Sequence, residues 1–282
     1  MQKGRVAQAA LFADMTYDAF INAERTGWHE RAEVYASHTA RATLQIVPAM
    51  LDALGLRPGM RLLDVACGPG YVAGAAAALE AEATGVDYAA GMVDAARSRF
   101  PGLTFEVADA QALPVADGTF DAVACNMGLF HMGDPALAMR EAARALRSGG
   151  RFCFSQWTAP SDSTLYAALF AVLKEEADMG RADPAPDAYA LSDPQTVTSM
   201  MDASGFDDIT MRRLDTVLIA TGPDFFDFFM QFGVRVPLIV AAQEPDVQQR
   251  LRDRINAAMT PFQTPTGFEV PMPSLIYTGT KK

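Results

Sequence analysis

The sequence predicts an α/β fold built on a parallel β-sheet with helices on both faces, and two observations support this prediction. Short apolar segments alternate with helical segments between residues 61 and 157. This alternation is typical of parallel sheets, because each connecting helix packs on one face of the sheet. In addition, carboxylates and glycines follow consecutive predicted strands, as they do where parallel strands end at a ligand crevice.

The first 56 residues are expected to be helical. Apolar side chains recur there at helical spacing, with Val47, Leu51 and Leu54 as examples. Gly55 is expected to end the last of these helices, and the Pro-Gly pair that follows turns the chain toward the first strand. This region is therefore predicted to lie outside the sheet, as part of a cap.

Five strands and their connecting helices are predicted next. The strands are expected at residues 61–66, 82–87, 103–108, 120–126 and 151–156. The helices are expected at residues 71–81, 90–100 and 135–146, with a short helix that begins at Leu113.

The second half of the chain is predicted to form a cap and then complete the sheet. Four prolines interrupt residues 160–204, where a helix at 164–179 is apolar on one side. We interpret this region as an insertion over the carboxyl edge of the sheet. A strand at 209–220, a helical stretch at 223–240 and an alternating final strand at 267–278 are expected to follow.

The acidic composition excludes one class of ligand. The chain of 282 residues contains 34 acidic and 23 basic residues, for a formal net charge of −11. Proteins that bind nucleic acid need a basic surface, and no basic cluster offsets this charge. We therefore expect no nucleic acid partner.

Cysteine usage and hydropathy predict a cytoplasmic protein. Cys67, Cys125 and Cys153 lie in or beside predicted buried strands and lack the spacing of metal ligands, so we expect reduced thiols and no bound metal. No apolar segment approaches the roughly 20 residues of a membrane span. The N-terminus also lacks a convincing cleavage site for a signal peptide.

The most informative motif is Leu-Leu-Asp-Val-Ala-Cys-Gly-Pro-Gly at residues 62–70. A strand that turns into a helix through glycines brings the backbone close to a ligand, with free N–H groups at the helix start. Asp64 would repel a pyrophosphate but suits a ligand that carries an ammonium or sulfonium charge. The motif therefore favours S-adenosylmethionine (SAM) over NAD, with Asp64, Gly68 and Gly70 beside the cofactor.

Two further carboxylates follow the next two strands. Asp87 comes 17 residues after Gly70, and a carboxylate there can accept hydrogen bonds from both ribose hydroxyls. Asp87 and Asp109 could instead cap a helix and a turn, but acids at the ends of three consecutive strands are expected to converge at one crevice. Tyr88 and Met92 are expected either to cover the adenine or to pack within the fold.

Residues 44–157 resemble the class I SAM-dependent methyltransferases, in particular the branch that contains the ubiquinone and menaquinone C-methylases and many small-molecule methyltransferases. The resemblance implies a Rossmann-like, mostly parallel sheet of seven strands whose last strand is antiparallel. It also implies that Asp109 accepts from the adenine amino group, that the N–H of Ala110 meets the ring, and that Asn126 contacts the methionine moiety. Ala66 departs from the pattern, because many members have glycine there.

The loop after the fourth strand and the apolar cap are expected to hold the methyl acceptor. His131 is a candidate general base because histidine exchanges protons near neutral pH, and the alternative is a histidine that caps a loop or a helix. The acceptor pocket is expected to be lined by Tyr17, Phe130, His131, Trp157 and Phe229. An apolar pocket of this kind favours a hydrophobic or aromatic small molecule over a sugar or a peptide.

Together these inferences predict a single catalytic domain in four segments. They are cap helices (1–56), a SAM-binding core (57–160), a helical cap insertion (161–205) and a segment that completes the sheet around a cap helix (206–282). The predicted activity is transfer of the SAM methyl group to an O, N or C atom of a small metabolite, as in secondary metabolism. S-adenosylhomocysteine (SAH) is the expected product.

Four alternatives stay open. A cyclase or isomerase could share the fold and hold SAM as a structural element. An NAD-dependent oxidoreductase is disfavoured by Asp64 and by Ala73, which occupies the usual place of the third glycine. A non-catalytic interaction module conflicts with the three carboxylates, and a nucleic-acid or protein methyltransferase conflicts with the acidic charge and the missing Asn-Pro-Pro-Tyr motif.

Overall fold

The computed structural model describes residues 17–282. Its strands are β1 (Arg61–Val65), β2 (Glu82–Asp87), β3 (Thr104–Val107), β4 (Phe120–Cys125), β5 (Leu146–Trp157), β6 (Phe206–Leu214), β7 (Val217–Thr221), β8 (Gln263–Thr264), β9 (Gly267–Pro271) and β10 (Ser274–Lys281). Its helices are α1 (Asp18–Arg31), α2 (Ala40–Thr43), α3 (Val47–Leu54), α4 (Tyr71–Ala78), α5 (Ala90–Arg99), α6 (Pro135–Ala145), α7 (Thr164–Glu176), α8 (Pro194–Ala203), α9 (Phe225–Phe232), α10 (Arg235–Ala241) and α11 (Pro245–Met259). The helical structure expected for residues 1–16 lies outside the described residues.

The main sheet has seven strands in the order β3-β2-β1-β4-β5-β10-β6. Strands β1 to β5 are parallel to one another, whereas β10 runs antiparallel to both β5 and β6. The predicted fold class, a mostly parallel Rossmann-like sheet with an antiparallel last strand, is confirmed. The carboxyl ends of β1, β2, β4 and β5 meet at one edge, where the functional site lies.

Both faces of the main sheet are buried, because successive residues of a strand point to opposite faces. Leu62 of β1 and Ala122 of β4 belong to the hydrophobic cluster on one face. Their neighbours Leu63 and Val123 belong to the cluster on the other face. Because both faces are buried, the sequences of the parallel strands are apolar at consecutive positions rather than at alternate ones.

A second sheet of three strands, in the order β7-β9-β8, extends from the main one. The predicted single strands at 209–220 and 267–278 are therefore wrong, since each is divided between the two sheets. The breaks lie beside each other: Met272 donates its N–H to the carbonyl of Thr216 at 2.9 Å, and the Thr216 hydroxyl donates to the Met272 carbonyl. Pro273 follows with no N–H to continue the ladder.

The helices differ from the predictions in five places. The helix at 164–179 ends at Glu176, and the stretch at 223–240 is divided into α9 and α10 by extended backbone at Gly233. Helices α8 and α11 were not predicted. The helix expected at Leu113 is absent from the described chain, where the N–H of Leu113 instead donates to Glu141 Oε2 at 2.8 Å.

The segment predicted as a cap insertion serves two parts of the molecule. Helix α7 packs against α11 and β9, on the side of the small sheet. Helix α8 packs against β6 of the main sheet, and its Val197 and Met201 are buried in the core of that face. The proposed division of the chain into four segments stays a prediction. Within residues 17–282, no helix has the length and apolar character needed to span a bilayer.

Candidate functional site

A cavity of about 540 Å³ opens at the carboxyl edge of the main sheet. One wall, which we call the strand-end wall, consists of the residues that follow β1, β2, β3 and β4. The opposite wall, which we call the aromatic wall, comes from β5, α7, α9, α10 and the segment around Tyr189. Helix α1 borders both walls through Phe20, Glu24 and Trp28.

The turn after β1 holds its backbone open toward the cavity. Gly68 has a φ of +50°, and a Cβ atom built on it would project toward free space, with the Tyr35 ring 3.9 Å away. Its N–H donates to Asp87 Oδ2 at 2.8 Å. Gly70 also has a positive φ, but it packs on the Phe105 ring, where a Cβ atom would lie 2.8 Å from the nearest carbon. Gly68 therefore lines the cavity, whereas Gly70 shapes the turn from behind.

Ala66 is accommodated in this turn by a glycine on the neighbouring loop. Ala66 has a φ of +53°, a conformation that costs energy for a residue with a side chain. A Cβ atom on Gly128 would lie 2.6 Å from the Ala66 methyl group. The missing side chain of Gly128 thus leaves room for Ala66, which lines the cavity.

Asp64 and Asp87 are buried close to each other but play different parts. Asp87 is 6% exposed, lines the cavity and accepts from the N–H groups of Gly68 and Ala89. Asp64 is 1% exposed, does not line the cavity, and accepts from the N–H of Ala73 at 3.0 Å. Its Oδ1 has no partner among the described residues. The three carboxylates therefore do not all reach one crevice, because Asp64 faces the start of α4.

Burial disfavours the charged form of both carboxylates. It raises the pKa of Asp64 to about 7, and the negative charge of Asp87 adds to this rise. Burial also raises the pKa of Asp87 to about 6, although the N–H groups of Ala89 and Gly68 and the charge of His131 act in the opposite direction.

The residues expected around the adenine lie together on the strand-end wall. Asp109, Ala110, Tyr88 and Met92 all line the cavity. Asp109 Oδ1 accepts from the N–H of Gln111 at 2.8 Å, so it also forms the turn considered as the alternative. The Tyr88 hydroxyl is buried without a hydrogen-bond partner among the described residues, which is uncommon in folded proteins.

Asn126 lines the cavity and also connects three parts of the fold. Its Oδ1 accepts from the Ser155 hydroxyl of β5 at 2.7 Å, and its amide group donates to the carbonyl of Thr43 at 3.2 Å. These two hydrogen bonds fix the orientation of the Asn126 side chain between α2 and β5.

His131 lies in the loop after β4 and pairs with a carboxylate that the sequence did not reveal. Its Nδ1 is 2.8 Å from Glu24 Oε2, and Trp28 donates its indole N–H to the same oxygen at 2.9 Å. Glu24 is 0% exposed, whereas His131 is partly exposed in the cavity. The only signal for Glu24 was its helical spacing from Phe20 and Trp28, which places the three on one face of α1.

The aromatic wall contains some of the residues expected to bind the acceptor. Trp157 and Phe229 lie on this wall, where Phe229 stacks on Phe232 with ring centroids 5.5 Å apart, whereas Phe130 lines the cavity from the loop after β4. Tyr17 does not line the cavity, since it precedes the first turn of α1. Tyr166, Phe170 and Tyr189 also line this wall.

Arg235 places a positive charge among these apolar residues. Its guanidinium carbon is 5.8 Å from the centre of the Phe20 ring, and one of its N–H groups donates to the carbonyl of Asp183 at 2.7 Å. Burial lowers the pKa of Arg235, and the charges of Glu24 and Asp183 partly offset this. No pattern in the sequence singled out this residue, because residues 223–240 were predicted as one helical stretch.

Comparison with known families places this architecture in context. A family model described as a methyltransferase domain matches residues 63–154. The demethylmenaquinone methyltransferase of Renibacterium salmoninarum is 30% identical over 181 residues, which cover 61% of this chain and 76% of the relative. That of Corynebacterium kroppenstedtii is 31% identical over 174 residues, which cover 58% and 75%.

Solved structures show the same fold at lower sequence identity. The YcgJ protein from Bacillus subtilis is similar with a TM-score of 0.59 and 19% sequence identity. The match covers 84% of this chain and 98% of that protein. At this level of identity the similarity supports the fold, and the chemistry must be argued from the site.

Proposed function

This chain belongs to the class I SAM-dependent methyltransferases, and from that premise we propose that its methyl acceptor is a small hydrophobic or aromatic molecule. One observation carries the proposal: the cavity joins a strand-end wall of carboxylates and open backbone to an aromatic wall. Both relatives are named demethylmenaquinone methyltransferases, which supports a quinone-like ring as the methyl acceptor of this chain.

The strand-end wall fits the nucleoside part of SAM. In our proposal the Asp87 carboxylate accepts from the ribose hydroxyls, and the open backbone at Gly68 lets the cofactor approach closely. Asp109 and Ala110 hold the adenine, Met92 covers it, and Asn126 faces the methionine moiety. The unpartnered Tyr88 hydroxyl supports this fit, because a polar ligand would satisfy it. We assign Asp64 to the turn itself, since it does not reach the cavity.

The reaction requires little covalent chemistry from the protein. SAM supplies a methyl group activated by the sulfonium charge. The aromatic wall holds the acceptor so that its nucleophilic atom lies in line at about 3–3.5 Å from that methyl group, and it excludes water. Where the acceptor must lose a proton, we propose that Nε2 of His131 receives it.

A labelling experiment tests the proposal. The protein is incubated with methyl-labelled SAM and two panels of acceptors, one of hydroxylated aromatic and quinol compounds and one of sugars and short peptides. We expect labelled product and SAH with members of the aromatic panel, and no product with the Asp87→Ala variant. Labelling confined to the second panel, or failure of the protein to bind SAH by calorimetry, would contradict the proposal.

A further inference from the structure

The Glu24 carboxylate is buried on the inner face of α1, at the border of the cavity. It is 0% exposed, and its Oε1 has no partner among the described residues. Burying a carboxylate costs free energy unless it is paired and hydrogen-bonded, so its presence needs a reason. The other oxygen of Glu24, Oε2, provides the explanation, because it forms hydrogen bonds with both His131 and Trp28.

The chemistry of this contact fixes the protonation of the imidazole ring. An ionised carboxylate only accepts hydrogen bonds, and therefore Nδ1 of His131 carries the proton that it donates to Glu24. The other nitrogen, Nε2, is then left as an acceptor on a side chain that lines the cavity.

The orientation of the ring is fixed as well. The Trp28 ring meets the imidazole edge-on, at 81° and with centroids 5.2 Å apart. The Phe130 ring also contacts the imidazole, with centroids 4.2 Å apart and an angle of 42° between the rings. A ring held by two aromatic neighbours and one short hydrogen bond has little freedom to present Nδ1 to the cavity instead.

These contacts join two distant parts of the chain. Glu24 and Trp28 come from α1, whereas His131 follows β4. Helix α1 is also attached to α5, where the N–H of Gly91 donates to Nδ1 of His29 at 2.9 Å. A Cβ atom on Gly91 would lie only 2.7 Å from the carbonyl oxygen of His29, so the two helices are in close contact.

We propose that Glu24 is a positioning residue that holds His131 with Nδ1 protonated and Nε2 free to accept a proton from the methyl acceptor. The inference rests on the proposed function, in which His131 is the base. When Nε2 takes the proton, the imidazolium forms beside the charge of Glu24 and within the influence of Asp87, and both carboxylates stabilise it. Arg235, the cation on the facing wall, also interacts with Glu24.

Two variants separate charge from orientation. Trp28 and His131 both donate to Oε2 of Glu24, so in Glu24→Gln the amide oxygen takes that place and keeps the orientation without the charge. Glu24→Met has a similar length and removes both. The matched control is Glu30→Met, which changes an exposed glutamate on the same helix.

Nitrogen NMR of labelled histidine in the SAH complex provides the direct readout. We expect the ring of His131 to be protonated at Nδ1 in the natural protein, in Glu24→Gln and in the control, but to mix both neutral forms in Glu24→Met. A proton on Nε2 in the natural protein, or an unchanged ring in Glu24→Met, would overturn the proposal. Calorimetry with SAH is carried out first, so that failure of cofactor binding is recognised separately.

Steady-state kinetics with the acceptor found by labelling gives the second readout. We expect Glu24→Met to lower kcat by about 100-fold and Glu24→Gln by about tenfold, neither of which exceeds the roughly 10²- to 10⁴-fold that a general base supplies. The KM for SAM should stay unchanged in both variants. A purely structural role would instead raise this KM, weaken SAH binding and leave kcat of Glu24→Gln near the control, and that result would overturn the inference.

Discussion

The two walls of the cavity are built by different means. On the strand-end wall, Asp87 is fixed by hydrogen bonds from Gly68 and Ala89, and each of these residues lies at the end of a strand. On the aromatic wall, Trp157 and Phe229 are held by ring packing, and they come from elements far apart in the chain. The strand-end wall offers a ligand hydrogen-bonding atoms, whereas the aromatic wall offers an apolar surface of defined shape.

This difference indicates how the two ligands are selected. A wall of oriented acceptors and N–H groups tolerates little change, because an unpaired buried polar group costs about 1–3 kcal/mol. An apolar wall can accept small changes of shape, because the hydrophobic effect does not depend on the direction of individual contacts. We therefore expect substitutions on the strand-end wall to affect SAM binding strongly and substitutions on the aromatic wall to change acceptor preference moderately.

The largest effect is expected from Asp87→Ala. Loss of two hydrogen bonds between a carboxylate and the ribose hydroxyls should weaken SAH binding by about 10²- to 10⁴-fold, at about 1.5–3 kcal/mol for each. Calorimetry measures this directly, with Asp94→Ala on the exposed side of α5 as the control. Affinity within twofold of the control would show that the two walls do not differ as described.

The next effect concerns stability and pH in the ligand-free protein. Because the pKa values of Asp64 and Asp87 are raised to about 7 and 6 in the folded chain, the folded form binds more protons than the unfolded form between about pH 4 and pH 7. The free energy of unfolding should therefore fall as pH rises through this window, by a few kcal/mol at about 1.4 kcal/mol per pKa unit.

The variant Asp64→Asn should remove part of this pH dependence. Urea unfolding at pH 5 and pH 8 measures the slope, and Asp94→Asn serves as the exposed control. At pH 8 the variant should be more stable than the natural protein, since it does not bury that charge. Equal slopes in the variant and the natural protein would contradict the assignment of Asp64 as a buried, charge-disfavouring residue.

The third prediction concerns the border between the walls. His131→Ala should lower kcat by about 10²-fold, the lower end of the contribution of a general base, and leave SAH affinity unchanged. His38→Ala, in a histidine that stacks on Phe228 outside the cavity, is the matched control. If turnover of the two variants is equal, His131 is not the base.

The smallest effect is expected on the aromatic wall. Phe229→Leu should raise the KM for the acceptor by about tenfold, equivalent to about 1.4 kcal/mol, because it changes the shape of the pocket and removes one stacked ring. SAH affinity should not change. Phe225→Leu is the control, since Phe225 is buried and stacks on Phe229 but does not line the cavity. Equal acceptor KM values in the two variants would remove Phe229 from the acceptor site.

Much of the strand-end wall could be predicted from the sequence, because strand ends are local features. Asp87, Asp109 and Gly68 follow strands that the apolar pattern reveals, and parallel strands bring such positions to one edge. Asp64 shows the limit of this reasoning. It lies within β1 rather than after it, and a shift of one position along a strand changes the side on which a side chain lies.

The aromatic wall and the Glu24 contact could be predicted only in outline. Glu24 acquires its role only when α1 docks beside the loop after β4, and no local pattern specifies that contact. Similarly, Thr216 and Pro273 mark the division of two long strands between two sheets. Pro273 was a usable signal, because a proline cannot donate to a ladder, but its partner across the break is set by tertiary structure.

The division of these strands has a consequence for how ligands reach the cavity. Strands β7 and β9 of the small sheet continue the hairpin that β6 and β10 form in the main sheet, so the helices of the aromatic wall that pack on β7 and β9 are anchored to the main sheet. The aromatic wall cannot move as a separate domain without breaking hydrogen bonds of the main sheet. We expect ligands to enter and leave the cavity past helix α1, while the rest of the protein stays in place.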